Sequence, residues 1–189
     1  MSFCTNLCCK LYLRILSIPY CFLILFLAGI FSICFAFTLQ YFFNVEPCHL
    51  CLLQRYPFVA IACFAFIALI VYYMRHANFI TSASLTRNIF LALLALCTLT
   101  FFTSLGLGIF HSGVELKLWQ SPLECAAQDL SSLSIDEIRE TLMQTSGPRC
   151  DEIRWTFLGL SLANWNIPFS IFMILFSLLA IKRNIKSEI

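Results

Sequence analysis

Residues 48–73 read CHLCLLQRYPFVAIACFAFIALIVYY. A Cys-x-x-Cys pair, Cys48 and Cys51, is followed four residues on by Arg55, and from Pro57 to Tyr73 no charge interrupts an apolar run. As a helix, such a run approaches the roughly 20 residues that cross a bilayer core of about 30 Å. Three more runs of this kind lie near residues 18–43, 89–110 and 165–181. The composition agrees: of 189 residues 60% are hydrophobic, 12% are charged and 20 are Phe. A soluble domain of this size has too little interior to cover that much apolar surface. The sequence therefore predicts an all-α integral membrane protein. It is expected to be one domain over 1–189, a four-transmembrane-helix bundle with spans near 18–43, 57–73, 89–110 and 165–181. A formal net charge of +2 is too small to point to nucleic acid.

Lysine and arginine set the orientation. Lys10 and Arg14 precede the first span, Arg75 and Arg87 join the second to the third, and Lys182, Arg183 and Lys186 follow the fourth. The positive-inside rule places these segments, and both termini, in the cytoplasm. Loops 44–56 and 111–164 are then outer loops, the longer one rich in acids from Glu115 to Glu152. Trp165 suits an anchor at the outer end of the fourth span. The first apolar run is too long for a signal peptide, and no clear small-residue cleavage site follows it. Within the long loop, Ser134-Ile135-Asp136-Glu137 matches a capping box. Ile135, Ile138, Leu142 and Met143 recur at helical spacing until Gly147-Pro148. A short amphipathic helix is expected there, and Val114–Trp119 is expected to lie along the interface in a similar way.

Location sorts the eleven cysteines. Cys4, Cys8 and Cys9 fall in the cytoplasmic tail, where thiols stay reduced. Cys21, Cys34, Cys63 and Cys97 fall within spans, where cysteine packs as a small apolar residue. Cys48, Cys51, Cys125 and Cys150 are left on the outer side, where disulfides form and persist. Three readings fit them: redox chemistry, structural disulfides, or a four-thiolate zinc site. A Cys-x-x-Cys pair closes too short a loop to be a useful staple, and its common uses are redox chemistry and metal binding. An inward dithiol transporter would need a further thiol pair within the bilayer, and the in-span cysteines show none close in sequence.

If the chain is helical from Cys51 onward, Cys51 and Arg55 are i, i+4 neighbours. A guanidinium that keeps its charge favours the thiolate, the reactive form of cysteine. The competing role for Arg55 is a snorkelling interfacial anchor. Tyr41, Phe42, Phe43, Tyr56 and Phe58 either border a flat ring or form an aromatic belt.

Taken together, the chain resembles the bacterial DsbB family of disulfide-bond-formation proteins. The resemblance rests on four spans, the outer Cys-x-x-Cys with Arg55 beyond it, and a second outer pair. It also rests on His111-x-Gly113-x-Glu115, on Trp119-x-Ser121-Pro122-x-x-Cys125, and on Cys150 followed by Trp155–Leu160 and Trp165. His49 departs from the apolar residue that many relatives carry after the first cysteine, and is expected to face solvent. The resemblance implies a protein-dithiol:quinone oxidoreductase of the bacterial inner membrane, with its redox cysteines in the periplasm. It implies disulfides Cys48–Cys51 and Cys125–Cys150, with Cys125 forming the mixed disulfide to a periplasmic thioredoxin-fold partner of the DsbA type. It further implies that Cys150 passes electrons through Cys48 and that Cys51 meets a bound quinone, ubiquinone or menaquinone, beside Arg55. The alternative is a non-enzymatic membrane protein whose outer cysteines form structural disulfides or bind zinc.

Overall fold

The computed structural model describes residues 13–80, 82–119, 150–151, 153 and 155–186. Its elements are α1 (Tyr20–Tyr41), α2 (His49–Leu53), α3 (Arg55–His76), α4 (Ala83–Glu115), β1 (Thr156–Phe157), β2 (Leu160–Ser161) and α5 (Leu162–Lys186). Four helical stretches are long and apolar enough to cross a membrane: α1, α2 with α3, α4 and α5. The fold is thus the all-α, four-span bundle expected. α1 packs on α3, α3 on α4, and α4 on α5.

Each spanning helix is apolar around most of its circumference, the pattern of a helix with lipid on one side and protein on the other. Phe31, Leu99 and Phe172 face outward, whereas Phe22, Leu25, Ile61, Leu94 and Phe101 are fully enclosed. Lipid tails are as apolar as leucine, so close packing and interhelical hydrogen bonds must hold the helices together. Both occur here. A Cβ placed on Gly29 of α1 would lie 2.9 Å from the Phe58 carbonyl oxygen and 3.1 Å from the Ala62 Cβ of α3. Between α4 and α5, Ser104 donates to Asn166 Oδ1 at 3.2 Å and Ser170 donates to Ser104 Oγ at 3.3 Å. Gly29→Leu is expected to lower stability by about 1–3 kcal/mol, the usual cost of overpacking. A thermal melt in detergent would show a lower midpoint; an unchanged midpoint would mean that α1 and α3 are not locked at this crossing.

Three of the four spans run longer than their apolar cores, whereas α1, Tyr20–Tyr41, falls within the 18–43 expected. The third was expected over 89–110, but α4 continues through Glu115, so His111–Glu115 belong to the helix and not to the outer loop. Val114 is buried and does not lie along the interface. The expected loop 44–56 contains α2 and the first turn of α3. The fourth span starts at Leu162, directly after a hairpin that hydrophobic periodicity could not announce. In that hairpin Phe157 pairs with Leu160. Its two loop residues, Leu158 at φ 53° and Gly159 at φ 78°, both take the left-handed conformation that the tight connection requires. Of the in-span cysteines, Cys21 and Cys97 are packed in the core, but Cys34 and Cys63 sit on the exposed face.

Candidate active site

The centre forms where α2, the end of α4 and the chain around Cys150 meet. Cys48 caps α2: its backbone is extended and its sulfur accepts the Cys51 N–H at 3.4 Å. One helical turn then brings the two sulfurs to 3.3 Å, the Cys48 thiol donating. Cys150 arrives from more than ninety residues away in the chain. It packs with Cys48, Leu50 and Val114 in one buried cluster, and its thiol is hydrogen-bonded to Cys48. Cys48 is therefore flanked by a sulfur on either side. The Cys150 hydrogen bond pulls the Cys48 thiol down, but the hydrogen bond to Cys51, burial and the charge of Cys51 outweigh it, and the thiol is pushed up to about 11.

A polar chain backs this sulfur. His111 Nε2 lies 3.6 Å from Cys48 Sγ. Gln54 Nε2 lies 3.1 Å from His111 Nδ1 and donates to the Leu107 carbonyl at 3.3 Å. Glu115 Oε1 is 3.9 Å from His111 Nε2, and Ser161 donates to Glu115 Oε2. The ligand atoms of Cys48, Cys51 and His111 all lie within 4.8 Å of one another, a spacing that a thiophilic metal also fits.

Beside the sulfurs is a cavity of about 340 Å³. Such a volume and an apolar lining with a few polar groups are usual for small-molecule sites, which span roughly 300–1,000 Å³. Phe31, Phe35, Phe58, Trp155, Phe157, Trp165 and Phe169 supply aromatic wall, and Cys48, Cys51, Gln54, Arg55, His111 and Glu115 supply the polar points. The wall is braced internally. Trp155 stacks on Phe157 with ring centres 6.1 Å apart, and Trp165 Nε1 donates to the Phe157 carbonyl at 2.9 Å. Arg55 is held by α1: it donates to Gln40 Oε1 at 2.8 Å, and its guanidinium lies 5.1 Å from the Phe37 ring centre. A flat, weakly polar ring fits this lining, with Arg55 available to an oxygen on it.

The structure thus brings Cys48, Cys51, Cys150 and Arg55 to one place. Cys125 and the expected amphipathic helix over 134–143 lie outside the described residues. His49 faces solvent, as expected. Of the aromatics considered, Tyr41, Phe42, Phe43 and Tyr56 are exposed, whereas Phe58 lines the cavity. Sequence reasoning did not assign roles to Gln54, His111 and Glu115. The i, i+4 spacing of His111 and Glu115 was a usable signal once α4 is extended beyond its apolar core. No sequence signal pairs Gln40 with Arg55.

The chain is similar to known proteins over most of its length. The family model described as "Disulfide bond formation protein DsbB" matches residues 19–180. A protein of Acinetobacter baylyi named "Disulfide bond formation protein B" is 31% identical over 149 residues, covering 77% of this chain and 80% of the relative. One of the same name from Aromatoleum aromaticum is 30% identical over 164 residues, covering 82% and 90%. No solved structure matches the chain.

Proposed function

Since the chain belongs to the DsbB family of disulfide bond formation proteins, and is a multi-pass oxidoreductase of the bacterial inner membrane, we propose that it carries electrons from a periplasmic dithiol protein to a membrane quinone. The observation that carries this reading is the Cys48 sulfur, in contact with both Cys51 and Cys150, at the edge of an aromatic cavity that Arg55 also lines.

A reduced thioredoxin-fold partner of the DsbA type attacks a Cys125–Cys150 disulfide at Cys125, and Cys150 leaves as a thiolate. Cys150 attacks Cys48 in a Cys48–Cys51 disulfide, and Cys51 leaves as a thiolate. The second thiolate of the partner cleaves its bond to Cys125, so the partner departs oxidised. Cys125 then attacks Cys150, restoring the outer disulfide and leaving Cys48 and Cys51 reduced. The quinone, ubiquinone or menaquinone, supplies an acceptor for two electrons and two protons, and the Cys48–Cys51 disulfide closes again. An acceptor outside the thiol pool is required because a DsbA-type oxidant has a potential of about −120 mV, above ordinary dithiol–disulfide couples. The basic segments at the opposite end of the spans support, through the positive-inside rule, an orientation with both termini in the cytoplasm and the redox centre on the periplasmic side.

The direct test is quinone absorbance on mixing the detergent-solubilised protein with a reduced DsbA-type partner and excess quinone. Catalytic loss of quinone, matched by partner oxidation, is expected. No turnover by folded protein with several quinones and partners would overturn the assignment. The order of the relay has its own test. Cys150→Ser is expected to accumulate a mixed disulfide between the partner and Cys125, identified by peptide mapping; trapping through Cys48 would reverse the order given.

A further inference from the structure

We propose that Gln54 is a positioning residue that fixes the tautomer of His111, so that the imidazole Nε2–H is directed at the Cys48 sulfur and favours its thiolate. The inference rests on the reading of Cys48 as a redox thiol.

The argument starts from the Leu107 carbonyl. A carbonyl oxygen only accepts, so the Gln54 side-chain atom 3.3 Å from it is the amide nitrogen. That same nitrogen lies 3.1 Å from His111 Nδ1. Two N–H groups cannot face each other, so Nδ1 presents its lone pair, and in the neutral ring the proton sits on Nε2. Nε2 lies 3.6 Å from Cys48 Sγ, and the ring also donates to the backbone carbonyl of Cys150, which in this tautomer shares the Nε2–H with the sulfur. The ring therefore touches the sulfur of one pair and the chain that carries a sulfur of the other. This tautomer has no lone pair at Nε2 to offer a metal, which makes His111 a donor to sulfur and not the third ligand of a zinc site.

The sulfur sits among opposed influences. The Cys51 N–H and the His111 Nε2–H favour negative charge on it, as donors to a charged form do. The Cys150 thiol favours it as well, Cys51 opposes it as a neighbouring anion, Glu115 faces His111 Nε2 at 3.9 Å, and Arg55 lines the same cavity. Gln54 and His111 are both buried, where a directed N–H counts for more than it would in water. Leaving Nδ1 without its donor frees the ring to carry its proton on the other nitrogen and turn a lone pair toward the thiolate.

The test uses full-length, dithiol-reduced protein without quinone or partner. The reaction of Cys48 with N-ethylmaleimide is followed against pH, site by site, by mass spectrometry. Gln54→Leu is expected to slow Cys48 about tenfold at each pH below its midpoint, equivalent to a shift of about one pH unit. His111→Phe should do the same, and the double variant should be no slower than either alone, because the two act as one unit. His111→Gln keeps an N–H donor but has no tautomers, so in that background Gln54→Leu should be silent. The idea is overturned if Gln54→Leu leaves Cys48 within twofold of the parent. It is also overturned if Gln54→Leu slows Cys48 equally with and without His111, or slows Cys51 to the same extent, which would indicate access and not ionisation. Since no quinone is present, failure of the quinone assignment and failure of this one give different results.

Discussion

Cys51→Ser is expected to reduce quinone-dependent turnover to background while leaving the bundle folded. Serine fills the same half-buried place, so packing around α2 changes little. Its hydroxyl cannot form or break a bond to sulfur, and the closure of Cys48 onto its neighbour, from which the acceptor draws its electrons, is lost. The two sulfurs 3.3 Å apart both line the cavity, and Cys48 joins them to Cys150. The Cys48 thiolate should still attack Cys150 in a Cys125–Cys150 disulfide, releasing Cys125, and Cys48 should then remain bonded to Cys150. Quinone absorbance and mapping of the disulfides check both halves. Normal turnover in folded Cys51→Ser protein would remove the relay altogether.

Arg55→Met is expected to weaken quinone use by roughly 10- to 150-fold. This corresponds to the 1.5–3 kcal/mol typical of a hydrogen bond to a charged group. The guanidinium is held in place before any ligand arrives, by Gln40 on one side and the face of Phe37 on the other. Little side-chain entropy is then lost on binding. Methionine keeps the apolar stem and removes the charge. The loss should appear as a higher quinone concentration at half-maximal rate, with exchange between the protein partner and the cysteines unchanged in quinone-free protein. An unaltered dependence on quinone concentration would return Arg55 to the role of an interfacial anchor.

Much of the architecture was legible because lipid imposes a coarse code. Uninterrupted apolar runs over Pro57–Tyr73 and its three counterparts mark spans, and the bundle follows. The code fails at span ends. His111, Ser112 and Glu115 are polar, so hydropathy assigns them to a loop, although α4 carries them for one more turn under the protection of Cys150 and Ser161. The Cys-x-x-Cys spacing and the arginine beyond it pointed to the centre because they lie within eight consecutive residues, from the cap of α2 to the start of α3. The rest of the centre depends on contacts across the bundle. Gln40 meets Arg55, Gln54 meets His111, and Cys150 meets Cys48 only through tertiary packing, which leaves no periodicity to read. The aromatic cavity wall was hidden for a different reason. In a chain with 20 Phe, those that face the cavity look like those that face lipid.

The burial of Cys48 has a consequence for where electrons can leak. Thiol exchange requires an attacking sulfur to approach along the axis of the bond it breaks. Leu50, Val114 and Cys150 close around Cys48, which is only 5% exposed. Among the described residues, little of that sulfur is left open to a small soluble thiol from the aqueous side, whereas Cys150 is already beside it. The bundle thus serves as electrical insulation around a short conductor. On the proposed function, reducing equivalents would enter by protein contact and leave toward the apolar cavity.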